Sequence, residues 1–240
     1  MPSFPMYLHI PAALLAGTLV ASALPAKAAT KTIEVPSFIG ITIESSLIAK
    51  VEVGGPQSIR VEGAGQDNID KVRLEVINGH LRAYIERDVW DYVAFNDPRI
   101  TLSITVPSLT YIEASAASDV TASGLDEDEL HLAANSGSRL VVDAIKSRNA
   151  HLSATSGADL MLSGVCDTAS VELSSGGVIG GEGFECIDIN IEASSGGHAL
   201  LFASGQVNAN ASSGAEVRLA GYPDHVDDEE NSGGNVEVLR

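Results

Sequence analysis

Aromatic residues are scarce in this chain, with five Phe, five Tyr and one Trp among 240 residues. Packing must therefore come from small and branched side chains, which stacked strands tolerate well. Cations are scarce as well: 14 Lys and Arg face 32 Asp and Glu, for a formal charge of −18. No basic stripe is available to neutralise phosphates, which argues against nucleic acid and anionic lipid as partners. The two cysteines lack the C-x-x-C spacing of a redox pair and are too few for a metal site. There is no six-residue period and no Gly-Gly-x-Gly-x-Asp motif. Left-handed hexapeptide helices and calcium rolls are thereby set aside.

The one long apolar run lies at the start, from Ile10 to Leu24, and is followed by the small-x-small pattern Ala26-Lys27-Ala28. This reads as a secretory signal spanning residues 1–28, although its first residues carry no Lys or Arg. No Leu-x-x-Cys offers a lipid site, and no later run is long enough to span a bilayer. The expected protein is exported, periplasmic or at the cell surface, with roughly 210 residues forming one domain with a sizeable core.

Small residues built on Ser-Gly recur every 18 to 20 positions: Ser115-Ala116-Ala117, Asn135-Ser136-Gly137, Thr155-Ser156-Gly157, Ser174-Ser175-Gly176, Ser194-Ser195-Gly196, Ser212-Ser213-Gly214 and Asn231-Ser232-Gly233. Such a period is the mark of a stacked solenoid. Five and three residues before each corner stand apolar pairs such as Leu132 with Ala134 and Leu152 with Ala154, and three and five after it Leu140 with Val142 and Leu160 with Leu162. Alternation with polar residues makes each pair a strand with one buried face. A second small column, Gly124, Ala144, Gly164, Gly183, Ala203 and Gly221, marks another corner. Each rung thus has at least two strands and two tight corners. Gly137, Gly157, Gly176, Gly196, Gly214 and Gly233 are the expected corner glycines, favoured because φ turns positive and because the next rung passes close overhead. The fold class is all-β, a parallel β-helix with rungs of about 20 residues, right-handed by the usual hand of parallel crossovers.

Residues 29–109 are strand-like but less regular, and Asn78-Gly79 reads as a hairpin turn. They are expected to cover the open edge of the first rung, with the Ser-Gly rungs occupying 110–240. At the other end Asp227-Asp228-Glu229-Glu230 stands where apolar positions are due, which suits an end cap that discourages another chain from adding on.

The order of parts is informative: an exported N-terminus, a strand-rich opening, Ile104-Thr105-Val106-Pro107-Ser108-Leu109, the Ser-Gly rungs, and Leu219-Ala220-Gly221-Tyr222-Pro223 before a last Ser-Gly pair. Over residues 33 to 240 the chain resembles the head GIN domain family, bacterial exported proteins described as autotransporter adhesins. The resemblance implies a right-handed β-helix at a cell surface or in the periplasm, with no catalytic residues to carry over. The long C-terminal barrel of a self-translocating adhesin has no counterpart in this sequence.

Cys166 and Cys186 fall in one column of adjacent rungs, within reach of a structural disulfide in an oxidising compartment. Asp119, Arg139 and Asp159 stack outward. Paired acids of a polysaccharide lyase or hydrolase would need to cluster, whereas an Arg between two acids makes a charge ladder. His131 and His151 stack on the outer face, but two imidazoles without a third ligand hold a metal loosely, so no metal site is assigned. The acidic runs Asp126 to Glu129 and Asp227 to Glu230 read as solvated turns, with weak Ca²⁺ binding the sharper alternative. Trp90, Asp91, Tyr92 and Phe95 combine rings and carboxylates as a sugar- or peptide-binding surface does; their alternative role is to plug the end of the solenoid. The corner serines, Ser136 through Ser232, have no partner to make them nucleophiles and are expected to satisfy backbone groups. Together these readings describe a non-enzymatic module without cofactor that binds an envelope glycan or protein.

Overall fold

The structure, a computed structural model, describes residues 29–86 and 99–239. The signal segment and the segment carrying Trp90, Asp91, Tyr92 and Phe95 lie outside the described residues. The chain forms a parallel β-solenoid of about six turns, and its rungs begin earlier than the Ser-Gly series suggests. After β1 (Ala29–Ile33), β2 (Gly40–Ile43) and β3 (Ile48–Val53) flank a corner at which Ser45 and Ser46 take φ of 63° and 58°. The next strands, β4 (Ser58–Gly63), β5 (Val72–Ile77), β6 (His80–Ile85) and β7 (Ile100–Val106), interrupt the coil. It resumes with β8 (Tyr111–Ala114) and β9 (Asp119–Ser123), which pair in parallel with β2 and β3. Ile41 opposes Ile112 and Ala49 opposes Val120, so Gly40–Val53 is itself a rung.

The interrupting strands cover the other edge of that rung. β6 lies parallel on β2 and β7 parallel on β3. Antiparallel ribbons continue outward: β4 on β7, β1 on β4, and β5 on β6 through the Asn78-Gly79 hairpin. A single helical turn, α1 (Gln66–Ile69), buries Ile69 beside them. Pairing the first rung in this way removes a ready-made template for aggregation.

Beyond β10 (Asp126–Ala134) the strands β11 (Arg139–Thr155), β12 (Asp159–Ser174) and β13 (Val178–Ala193) run unbroken round the coil. In β11 the inward alternation changes phase at Asp143-Ala144 and again at Arg148-Asn149. With the Ser-Gly corner these bends define three faces per rung. Leu140 and Val142 point inward from the first, Ile145 and Ser147 from the second, and Ala150, Leu152 and Ala154 from the third. The in-register columns are almost completely buried, and each Leu or Ile so placed contributes about 1.5–3 kcal/mol.

The Ser-Gly corner is a two-residue turn with both φ positive, 53° at Ser136 and 67° at Gly137. Its rungs are linked through the peptide groups: the Gly137 N–H donates to the Ser156 carbonyl at 3.1 Å and the Gly157 N–H to that of Ser175 at 3.0 Å. The serine hydroxyls were expected to do this work but are exposed. Backbone-satisfying hydroxyls sit two positions later, where buried Ser138 donates to the Ala114 carbonyl at 2.7 Å and Ser118 to that of Ile43 at 2.9 Å. The second reason given for the corner glycines also fails at these positions, because a Cβ on Gly137 or Gly157 would meet open space. Close approach governs the other corner: at Gly164 (φ 137°) a Cβ would collide with the Ile145 carbonyl oxygen.

The coil continues through β14 (His198–Ala203), β15 (Gln206–Ser212) and β16 (Glu216–Gly221) to β17 (His225–Asn231) and β18 (Asn235–Val238). Asp228 and Glu230 oppose Ala209 and Ala211, in columns that are buried in earlier rungs. Charge thus occupies the inward positions of the last described rung, and β17 is almost wholly exposed.

Candidate binding surface

The second face carries a cavity over a disulfide. Cys166 and Cys186 oppose each other in the register of β12 and β13, point inward and are joined by a disulfide, with Cα atoms 4.5 Å apart. The cross-link closes a separation of 20 residues, which by loop entropy stabilises the fold by about 3 kcal/mol. Its neighbours in sequence must point outward, and Val165 and Ile187 are accordingly 48% and 50% exposed. Phe202 joins them from the next rung, which is two residues shorter between Gly196 and Gly214 than the rung before it. There the register jumps so that Glu185 opposes Phe202 directly.

These side chains floor a cavity of about 640 Å³. Its rim is charged: Lys146 pairs with Asp126 at 3.1 Å and Arg148 with Asp128 at 3.3 Å, while Glu127, Asp167 and Glu185 add carboxylates. An apolar floor under convergent polar groups is the usual make-up of a ligand site. It suits a ligand with an apolar face and hydroxyl or cationic groups at its edge.

On the third face a polar ladder crosses the rungs. Glu113 accepts hydrogen bonds from Tyr111 Oη at 3.0 Å, Thr42 Oγ1 at 3.3 Å and Asn135 Nδ2 at 2.9 Å, and Thr155 donates to Asn135 at 2.7 Å. Burial, with the Glu113 carboxylate adding to it, pushes the Tyr111 phenol up to about 12. Beside this ladder the rings of His131 and His151 stack 4.4 Å apart and 9° from parallel, as their shared column requires. The expectation that they lack a third ligand does not hold. Glu129 Oε1 lies 3.6 Å from Nε2 of each ring. The signal was present in the sequence, since Glu129 precedes His131 by two residues and so shares its face. Reading Asp126 to Glu129 as one solvated turn concealed it.

Elsewhere Arg139 stands between Asp119 and Asp159 in register, 3.9 Å from the latter, the charge ladder expected. The run Asp227 to Glu230 lies at the far end of the third face, where Asp227 continues the outward column of His131 and His151 through Ser170, Asn190 and Asn208.

The profile of the family described as "Putative auto-transporter adhesin, head GIN domain" matches residues 37–223. The chain belongs to the head GIN domain family. Its architecture is similar to solved structures of "a putative adhesin" from Bacteroides fragilis (18% identity, TM-score 0.77) and another from Parabacteroides merdae (16%, 0.68). It is also similar to that of a "Putative lipid binding protein" from Parabacteroides distasonis (14%, 0.69). Each alignment covers 89% of this chain and 97% of the other. At these identities the likeness concerns the fold. No curated protein matches the chain. Among the described residues of this head GIN domain, no helix is long and apolar enough to cross a membrane.

Proposed function

We propose that this head GIN domain is an exported, non-enzymatic recognition module that presents a rigid binding surface to a glycan or protein of the cell envelope, in the periplasm or at the cell surface. The observation that carries the reading is the cavity over the Cys166–Cys186 disulfide, with exposed Val165 and Ile187 and half-buried Phe202 at its floor between charged columns. Exposed apolar side chains grouped under a charged rim mark interaction sites. In-register rungs hold these groups at fixed spacing, so little ordering entropy opposes binding. The adhesin description of the family supports the same reading. On the first face Arg139 stands between Asp119 and Asp159, so those two acids do not form the cooperating carboxylate pair of a glycosidase.

The test is a binding array of envelope glycans and proteins, probed with the oxidised protein in calcium and in chelator. Saturable binding is expected, with Ile187→Asp weakening it about tenfold or more as a central contact is lost, at an unchanged melting temperature. Calcium dependence would assign a role to the acidic runs Asp126 to Glu129 and Asp227 to Glu230, which the structure places in β10 and β17 rather than in turns. Silence across the array from a protein with an intact strand spectrum would contradict the proposal.

A further inference from the structure

The third face carries a chemistry that the binding surface does not use. We infer that Glu129, His131 and His151 form a binding site for a divalent transition ion of the zinc type. Two imidazole nitrogens and one carboxylate oxygen are a zinc donor set, and three protein ligands leave a fourth position for water or for a donor from a bound partner. Calcium, which takes six to eight oxygen ligands, is not served by it.

The distances support the assignment. Metal–ligand bonds of about 2.05 Å place the corners of a tetrahedral zinc site about 3.3 Å apart. Here the two carboxylate–imidazole separations are both 3.6 Å, and all three ligand atoms lie within 4.8 Å of one another. The remaining gap closes by rotation of the rings. As they stand, near-parallel, their lone pairs run side by side, and turning about the broad terminal torsion of histidine makes them converge. Both side chains are about half exposed, so solvent leaves room for the turn. A shallow cavity of about 290 Å³ beside them, bordered by Tyr111 and Ser170, accommodates the open position.

Two further features separate this cluster from a chance meeting of surface residues. His131 and His151 are directly paired in the register of β10 and β11, so the backbone fixes their spacing before any ion arrives. The neighbouring acids Asp126 and Asp128 are engaged by Lys146 and Arg148, whereas the ion-pair partners of Glu129 among the described residues are these two imidazoles. Its carboxylate is thus available to a metal without breaking a pair to a permanent cation. The chain's strong negative charge adds to the local concentration of divalent ions. None of this depends on the cavity over the disulfide.

The test is a zinc titration of the untagged protein by calorimetry, with ¹⁵N NMR of the histidine rings. A single zinc per chain is expected, shifting the ring nitrogens of His131 and His151 but not those of His198 and His225. His131→Gln and His151→Gln should each weaken binding by about tenfold or more, Glu129→Gln by a smaller factor, and Asp126→Asn not at all. Metal-free melting temperatures should be unchanged, since all these side chains lie on the surface. The inference is overturned if no zinc is taken up saturably, if the His131 and His151 resonances do not move, if His151→Gln binds like the parent, or if excess calcium displaces the ion.

Discussion

Tyr111 shows how one residue makes the coil sensitive to alkali. Its phenol ionises at about 12 in the fold against 10.0 ordinarily, first because burial disfavours the phenolate and then because Glu113 repels it. A raised pKa leaves its contribution intact below about pH 10 and removes it as pH rises towards 12. Allowing for the solvent screening of a half-buried ring, the loss should be about 1 kcal/mol. Denaturant melts between pH 9 and 12 should show it in the parent and not in Tyr111→Phe. The corner glycines offer a second residue-scale contrast. Gly137→Ala should cost only about 1 kcal/mol, the strain of positive φ, because Ala117 already occupies the equivalent position at φ 61°. Gly164→Ala adds a backbone collision and should cost about 3 kcal/mol or more. Thermal melts of the two variants would separate conformational strain from close approach. Cys166 and Cys186 were legible from sequence because a fixed period places residues in columns. Glu129 was legible by the same columns, two residues before His131, but reading Asp126 to Glu129 as one solvated turn passes over it.

At the scale of elements, the period revealed the strands and corners from Tyr111 onward. The rung Gly40–Val53 escaped it because β4 to β7 intervene before its partner, and because Ser45-Ser46 marks its corner without a glycine. The second face was hidden for a related reason. The bend near Arg148-Asn149 needs no glycine and leaves only a change of phase in the burial of side chains. The last described rung carries the clearest element-scale consequence. Inward Asp228 and Glu230 keep the edge of β17 hydrated, the charge-bearing edge by which sheet proteins avoid association. The double variant Asp228→Val, Glu230→Val should form end-to-end oligomers, seen as a concentration-dependent mass in light scattering. A monomer at all concentrations would show that the edge is protected by other means.

For the whole molecule, the solenoid makes stability a sum of neighbouring contacts and keeps each outward column rigid. The architecture was accessible from sequence because inward columns repeat, and repetition is what a period detects. The cavity was not, since it arises where the repeat fails, in the shortened rung that brings Phe202 against Glu185. Recognition at this irregularity of an otherwise regular coil is the central claim. Its most direct test is amide hydrogen exchange of the protein with and without a ligand found on the envelope array. The account predicts slowed exchange confined to the second face, from Asp126–Asp128 across the disulfide rungs to Phe202–Ser204, with the rest of the coil unchanged. Protection centred on the N-terminal ribbons, or spread evenly over all rungs, would contradict it.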